Sequence, residues 1–194
     1  KCRPKVMTGE EALRERAYER VPVTAWSMLL RRDFLMDSSL RFKERCYAED
    51  VDFIYRVLEK CKKYCYCSRP LYLYYQNPAS ICSTRQNERG RGEISVYSEL
   101  EKHFGSSDFG KIFGRRSALM RIRSATHMDR DSFLKYVRSS ECREMVKKHL
   151  SNPVAPEYVW VSLFPSGYYI AVNLYVKFVY CGEGRIFGRR LKKR

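Results

Sequence analysis

The stretch Tyr47–Lys60, YAEDVDFIYRVLEK, opens on three carboxylates and continues with apolar residues at helical spacing. At about 100° per residue, Val51, Phe53, Ile54, Tyr55, Val57 and Leu58 form one broad apolar arc, and Asp52, Arg56, Glu59 and Lys60 fill the opposite side. The spacing predicts a helix from about Glu49 to Lys60, with Asp52 and Arg56 as an i,i+4 pair facing solvent. Glu49 falls outside the apolar arc and Asp50 falls inside it. Free amides and the helix dipole favour an acid in the first turn by roughly 0.3–1 kcal/mol, which explains an acid at this end but not one aimed inward. Burying an unpaired carboxylate costs several kcal/mol, so an inward Asp50 must face a polar cavity, a cation or a substrate. That makes Asp50 the candidate reactive group.

Upstream, Ala12, Leu13 and Ala17 have the spacing of a short amphipathic helix over Glu10 to Tyr18, ended by Pro22. The apolar run VTAWSMLL, Val23 to Leu30, reads as a strand or buried edge, and Asp33 to Met36 as a helical turn. Downstream, KYCYCS and PLYLYYQ read as two β-rich runs split by Arg69-Pro70. The polar segment QNPASICSTRQNERGRGE then reads as a loop or boundary, placed near residue 90. Helices follow: one bearing Ile94, Tyr97, Leu100 and Phe104, a second across Phe109 to Arg123, and a third from a cap at Asp131 to Leu150. His103, His127 and His149 have no paired ligand spacing and read as structural or exposed.

Residues 158–176, YVWVSLFPSGYYIAVNLYV, carry no charge over nineteen positions, and a basic segment follows. Pro165-Ser166-Gly167 and Asn173 interrupt the run, leaving three readings: core helices, interfacial docking or a spanning helix.

With 44% hydrophobic and 14% aromatic residues, the 194-residue chain is too apolar for intrinsic disorder. Its net charge of +16 implies an anionic partner. Nucleic acid is the weaker choice, since no helix-turn-helix, zinc-finger or RNP-like motif can be read. The eight cysteines follow no secretory signal and read as reduced, cytoplasmic thiols. Cys61, Cys65 and Cys67, spaced C-x3-C-x-C, lack a second knuckle for zinc and read as small hydrophobes packed around a strand.

The succession AWSMLLRRDFL, LRF, YAEDVDFIYRVL and PLYLYYQNPASICST resembles the second half of bacterial family-2 glycosyltransferases of GT-A fold, over roughly Ala25 to Thr84. The resemblance implies an α/β fold, a partial Rossmann-like GT-A domain over residues 1–90, followed by a mainly α-helical region over 91–194. It implies inverting transfer of a sugar from a nucleotide-sugar donor to a glycan or lipid-linked acceptor, peripheral to the inner membrane face. Asp50 matches the general base of that family and Glu49 its partner, which orients the acceptor or the loop. The resemblance also implies a divalent metal, Mg or Mn, held by an Asp-x-Asp motif on a preceding half. No such motif occurs upstream of Trp26, and Asp50-Val51-Asp52 splays its acids about 160° apart. Together with the missing initiator Met, this suggests an excerpt carrying the acceptor side.

Trp26 reads either as a sugar-stacking platform or as a buried strand aromatic. Ser27-Met28 replace the Asn-Lys that the family often has there. Arg85, with Arg89 and Arg91, lies in the polar loop, either reaching the donor diphosphate or simply solvated. The Gln-x-x-Arg-Trp motif of processive synthases is absent, which implies transfer of a single sugar. The competing reading is a degenerate, non-catalytic module that binds an anionic partner.

Overall fold

The computed structural model describes residues 6–67, 71–73, 86–151 and 155–176. They fall into two compact units, Lys1–Tyr75 with Arg91–Arg121, and Gln76–Gly90 with Ile122–Arg194.

The first unit begins with β1 (Val6–Met7) and α1 (Gly9–Ala17). Thr8 and Glu11 set the start of α1 by a reciprocal capping box, in which the Glu11 amide donates to Thr8 Oγ1 at 3.2 Å and the Thr8 amide to Glu11 Oε2 at 2.7 Å. A single 3-10 turn (Ala25–Ser27), α2 (Arg32–Asp37), α3 (Glu49–Lys60) and β2 (Tyr64–Cys65) follow. The unit is completed by α4 (Asn87–Phe104) from Arg91 onward and α5 (Asp108–Ala125) as far as Arg121.

The core forms around α3, as its apolar arc demands. Ile54, Tyr55, Val57 and Leu58 pack with Ala12, Leu13 and Ala17 of α1, Val96, Tyr97 and Leu100 of α4, and Phe113 of α5. Tyr55 meets Phe113 edge-on at 4.9 Å between ring centroids, and Phe104 meets Phe109 likewise at 4.7 Å, the geometry that ring quadrupoles favour. His103 bonds Glu59 at 2.9 Å on the exposed side of α3 and α4, a structural placement.

Gly9 lets α1 press onto the C-terminal end of α3. A Cβ there would lie 2.2 Å from the Cys61 carbonyl oxygen and 2.3 Å from that of Leu58. Both atoms are backbone and cannot turn aside. Gly9→Ala is therefore expected to destabilise the protein by about 2 kcal/mol, read as a lower urea midpoint at unchanged slope.

The α/β expectation is overturned. Among the described residues the only strands are β1 and β2, two residues each, paired antiparallel with Val6 opposite Cys65 and Met7 opposite Tyr64; the rest of the regular structure is helical, and no Rossmann-like sheet is present. Of the β-rich runs, KYCYCS supplies β2 but only over Tyr64–Cys65, because strand propensity takes effect only against a neighbouring ladder and its partner β1 is itself two residues long; PLYLYYQ lies largely outside the described residues. Val23–Leu30 accordingly adopts the 3-10 turn and extended chain instead of a strand, with Leu29 fully exposed. Cys65 and Cys67 are exposed, not packed as small hydrophobes, and Cys61 is half-buried at the end of α3.

The polar segment before residue 90 is partly helical as well. Its end, from Asn87, forms the first turn of α4, so Arg89 and Arg91 sit on a helix and not in a loop.

The second unit contains α6 (Arg130–Val137), α7 (Ser140–Leu150), α8 (Pro156–Leu163) and α9 (Pro165–Val176). The single helix expected over Asp131 to Leu150 is two, because Ser139 caps a new start: its Oγ accepts from the Cys142 amide at 3.2 Å. Asp129 caps α6, accepting from the Ser132 amide at 2.9 Å, and also accepts from the Asn87 side chain. The Ser132 amide, with the Asn87 and Ser132 side chains, holds its carboxyl down at about 2. Phe133 is the buried centre, with the Tyr169 ring 5.1 Å away and the Tyr169 hydroxyl donating to the Met128 carbonyl at 3.0 Å.

Residues 158–176 form parts of α8 and α9, separated at Phe164-Pro165. Among the described residues no helix is long and apolar enough to cross a membrane.

Candidate active site

The helix that carries the candidate base is entered through a constrained loop. Arg45 and Ala48 both have left-handed backbones, with φ of 51° and 57°. Ala48 is the N-cap of α3 and its side chain offers no capping bond. A non-glycine residue in this region costs about 1–2 kcal/mol, a strain held here directly before Glu49 and Asp50.

Glu49 is exposed at the first position of α3, and Asp50 is half-buried at the second. The Val51 amide donates to Asp50 Oδ1 at 2.8 Å, using one of the free donors of the helix start. Among the described residues no cation pairs with Asp50. Burial pushes its carboxyl above the ordinary value of 3.8, the Val51 amide pulls it partly back, and the charges of Glu49 and Glu93 push it up again. Asp50 is thus a partly desolvated carboxylate, paired with no cation among the described residues and set in an acidic mouth, the kind of group that accepts a proton readily.

Asp52 corrects the helical-wheel reading. It pairs with Arg56 as its spacing requires, Arg56 Nε donating to Oδ2 at 2.8 Å, but it is buried at 2% exposure and not on the solvent face. Lys43 Nζ reaches Oδ1 of Asp52 at 2.9 Å and Glu99 of α4 at 2.8 Å. Arg56 also donates to the Arg41 carbonyl at 2.8 Å. The polar side of α3 is covered by the loop before it and by α4, whose groups come from 9 and 47 residues away in sequence and leave no local signature. The bond to Glu99 comes first in raising Lys43, and the bond to Lys43 in lowering Glu99. A lowered carboxyl contributes stability at neutral pH that is lost as pH falls through its folded value.

A surface recess of about 440 Å³ lies beside this network, lined by the loop residues Lys43 to Tyr47 and by Gly92, Ser95, Val96 and Glu99 of α4. Gly92 admits the Tyr47 ring, since a Cβ there would be 2.9 Å from Tyr47 Cβ. The loop that bounds the recess is the one that delivers Asp50.

Trp26 is not a buried strand aromatic. It stands in the 3-10 turn, which packs on α3, is 48% exposed, and stacks on Tyr72 with centroids 4.4 Å apart. The structure therefore presents an exposed aromatic pair on a turn that packs against α3. Arg85 lies outside the described residues.

The resemblance places the metal's ligands mostly on a preceding half, outside these residues. Asp52 is saturated by Lys43 and Arg56, and among the described residues no group of three His, Cys, Asp or Glu side chains is placed to bind a metal ion. Sequence reasoning picked out Asp50 and Glu49 but missed Glu93, Lys43 and Glu99. Glu93 lies one residue before the apolar stripe that begins at Ile94, which was its only signal. No family model, curated protein or solved structure matches this chain.

Proposed function

We propose that the chain supplies the acceptor side of an inverting sugar transferase, with Asp50 as the general base. The reading is supported by one observation above the others: of the three acids at the mouth of α3, Asp50 alone is both partly desolvated and without a cation among the described residues. Asp52 is consumed by structure and Glu49 is solvated. In this reading Asp50 takes the proton from an acceptor hydroxyl as the oxygen attacks the anomeric carbon of a nucleotide sugar, and the nucleoside diphosphate departs with the bonding pair. A single displacement inverts the configuration. Glu49 orients the acceptor, and Trp26 with Tyr72 offers a face on which a sugar ring can stack.

The acceptor is a glycan or lipid-linked sugar at the inner face of a membrane, within bacterial surface polysaccharide synthesis. Groups that hold the diphosphate, including any metal, come from protein outside these residues, and no step above passes through them.

The test is turnover of a panel of nucleotide sugars by the intact protein as the cell makes it, comparing wild type with Asp50→Asn and Glu49→Gln. Equal kcat/KM for wild type and Asp50→Asn would remove the base assignment.

A further inference from the structure

The helices α8 and α9 are built inside out. In α9, Tyr168 and Tyr169 face the interior of the second unit, Tyr169 at 4% exposure, while Ile170 and Leu174 point away, Leu174 at 62%. In α8, Val161 is buried, and Val159, Trp160 and Leu163 lie within an arc of about 100° on the other side, Leu163 at 65% exposure. Phe164, at the junction, is exposed too. A helix that only had to pack in water would put its aliphatic residues in and its tyrosines at the boundary. Here the residues that gain most from leaving water are outside, on two adjacent helices, which is the mark of an interaction surface.

Charge selects the occupant. Glu157 is the sole charged residue of the two helices, and cations flank them: Arg130 donates to Ser166 Oγ at 3.3 Å, and the charge of Arg123 acts on the Tyr168 phenol. Beyond α9, residues 177–194 add Lys177, Arg185, Arg189, Arg190, Lys192, Lys193 and Arg194 against Glu183. A second copy of a chain with net charge +16 would be repelled from this face. An anionic bilayer would be attracted, and each cation near its surface contributes about 1 kcal/mol.

Neither helix can cross a bilayer, but both can lie in its interface, with Trp160 at headgroup level and the aliphatic residues below. We propose that the outward faces of α8 and α9, carrying Trp160, Leu163, Phe164, Ile170 and Leu174, dock into the surface of an anionic membrane. This surface is separate from Asp50 and does not depend on the transferase reading.

The chain has two tryptophans, so Trp26→Phe leaves Trp160 as the sole reporter. With vesicles of phosphatidylcholine containing about a third phosphatidylglycerol, this protein is expected to float, with Trp160 emission shifted to the blue and quenched by lipids brominated in the upper acyl chain. Leu163→Ser/Ile170→Ser/Leu174→Ser is expected to reduce partitioning at least about tenfold while its circular dichroism is unchanged. Flotation with Trp160 unquenched would mean that the basic tail alone holds the lipid, and it overturns the proposal, as does the absence of flotation. A concentration-dependent dimer that the triple substitution converts to monomer, with flotation intact, would assign the face to self-association instead. If the triple variant does not fold, quenching of Trp160 in the Trp26→Phe protein decides alone. None of these readouts measures sugar transfer, so the two proposals fail separately.

Discussion

Asp50→Asn is expected to lower sugar transfer by about 10²- to 10⁴-fold while the melting transition stays in place or rises slightly. The amide is the same size as the carboxylate and its Oδ1 still accepts from the Val51 amide, so the start of α3 keeps its bond. Only the ability to take a proton is lost. The direction of the stability change follows from the raised carboxyl: the folded state binds the Asp50 proton more tightly than the unfolded chain does. Stability therefore falls as pH rises from the ordinary value of 3.8 through the raised folded value, and above that window the ionised group is a net burden. Asparagine removes the burden. The activity of the wild type runs the opposite way, increasing with pH through the same window as the base becomes available. The residual activity of Asp50→Asn should lack that acid limb. A pH–rate profile of kcat/KM for both proteins, with thermal melts at the same pH values, measures all of this. An unaltered acid limb in the variant would transfer the base role to another group.

Asp52→Ala should do the reverse, damaging the fold before the chemistry. Its carboxylate is buried and joins Lys43, Arg56 and, through Lys43, Glu99 of α4. Removing one partner of a buried ion pair commonly costs 3–5 kcal/mol, because the remaining charge is left uncompensated. Here the side chains of Arg56 and Lys43 keep 25% and 40% exposure and can recover some hydration, so about 3 kcal/mol is expected. Urea unfolding should show the midpoint falling with an unchanged slope. Lys43→Ala, which removes the more exposed cation, should cost only about 1 kcal/mol. Equal stability of Asp52→Ala and wild type would show that the network contributes nothing net. Two acids on one helical turn thus have opposite expected signatures, Asp50 in rate and Asp52 in stability.

Much of the helical content is legible locally. The periodicity of Tyr47–Lys60 predicts α3, the Ala12, Leu13 and Ala17 spacing finds α1, and the stripe from Ile94 to Phe104 finds most of α4. These features depend on contacts three or four residues apart, which a linear reading captures. The β expectation was only partly legible because a strand exists only through a partner: KYCYCS does yield β2, over Tyr64–Cys65, but its composition says nothing about how long a partner is at hand. The break at Ser139 was missed for a related reason, since a serine side chain can either cap a helix or sit within it.

For the site, the sequence determined that an acid opens α3 with its neighbours apolar, which singles out Asp50. It also determined that Asp52 would meet Arg56. Only the tertiary structure decided that Asp52 is buried, that Lys43 and Glu99 close over it, and that Trp26 stands exposed against Tyr72. The physical reason is the range of the forces involved. Helical periodicity and capping act within one turn and are written in adjacent residues, whereas burial of a charge depends on which distant side chains arrive to neutralise it.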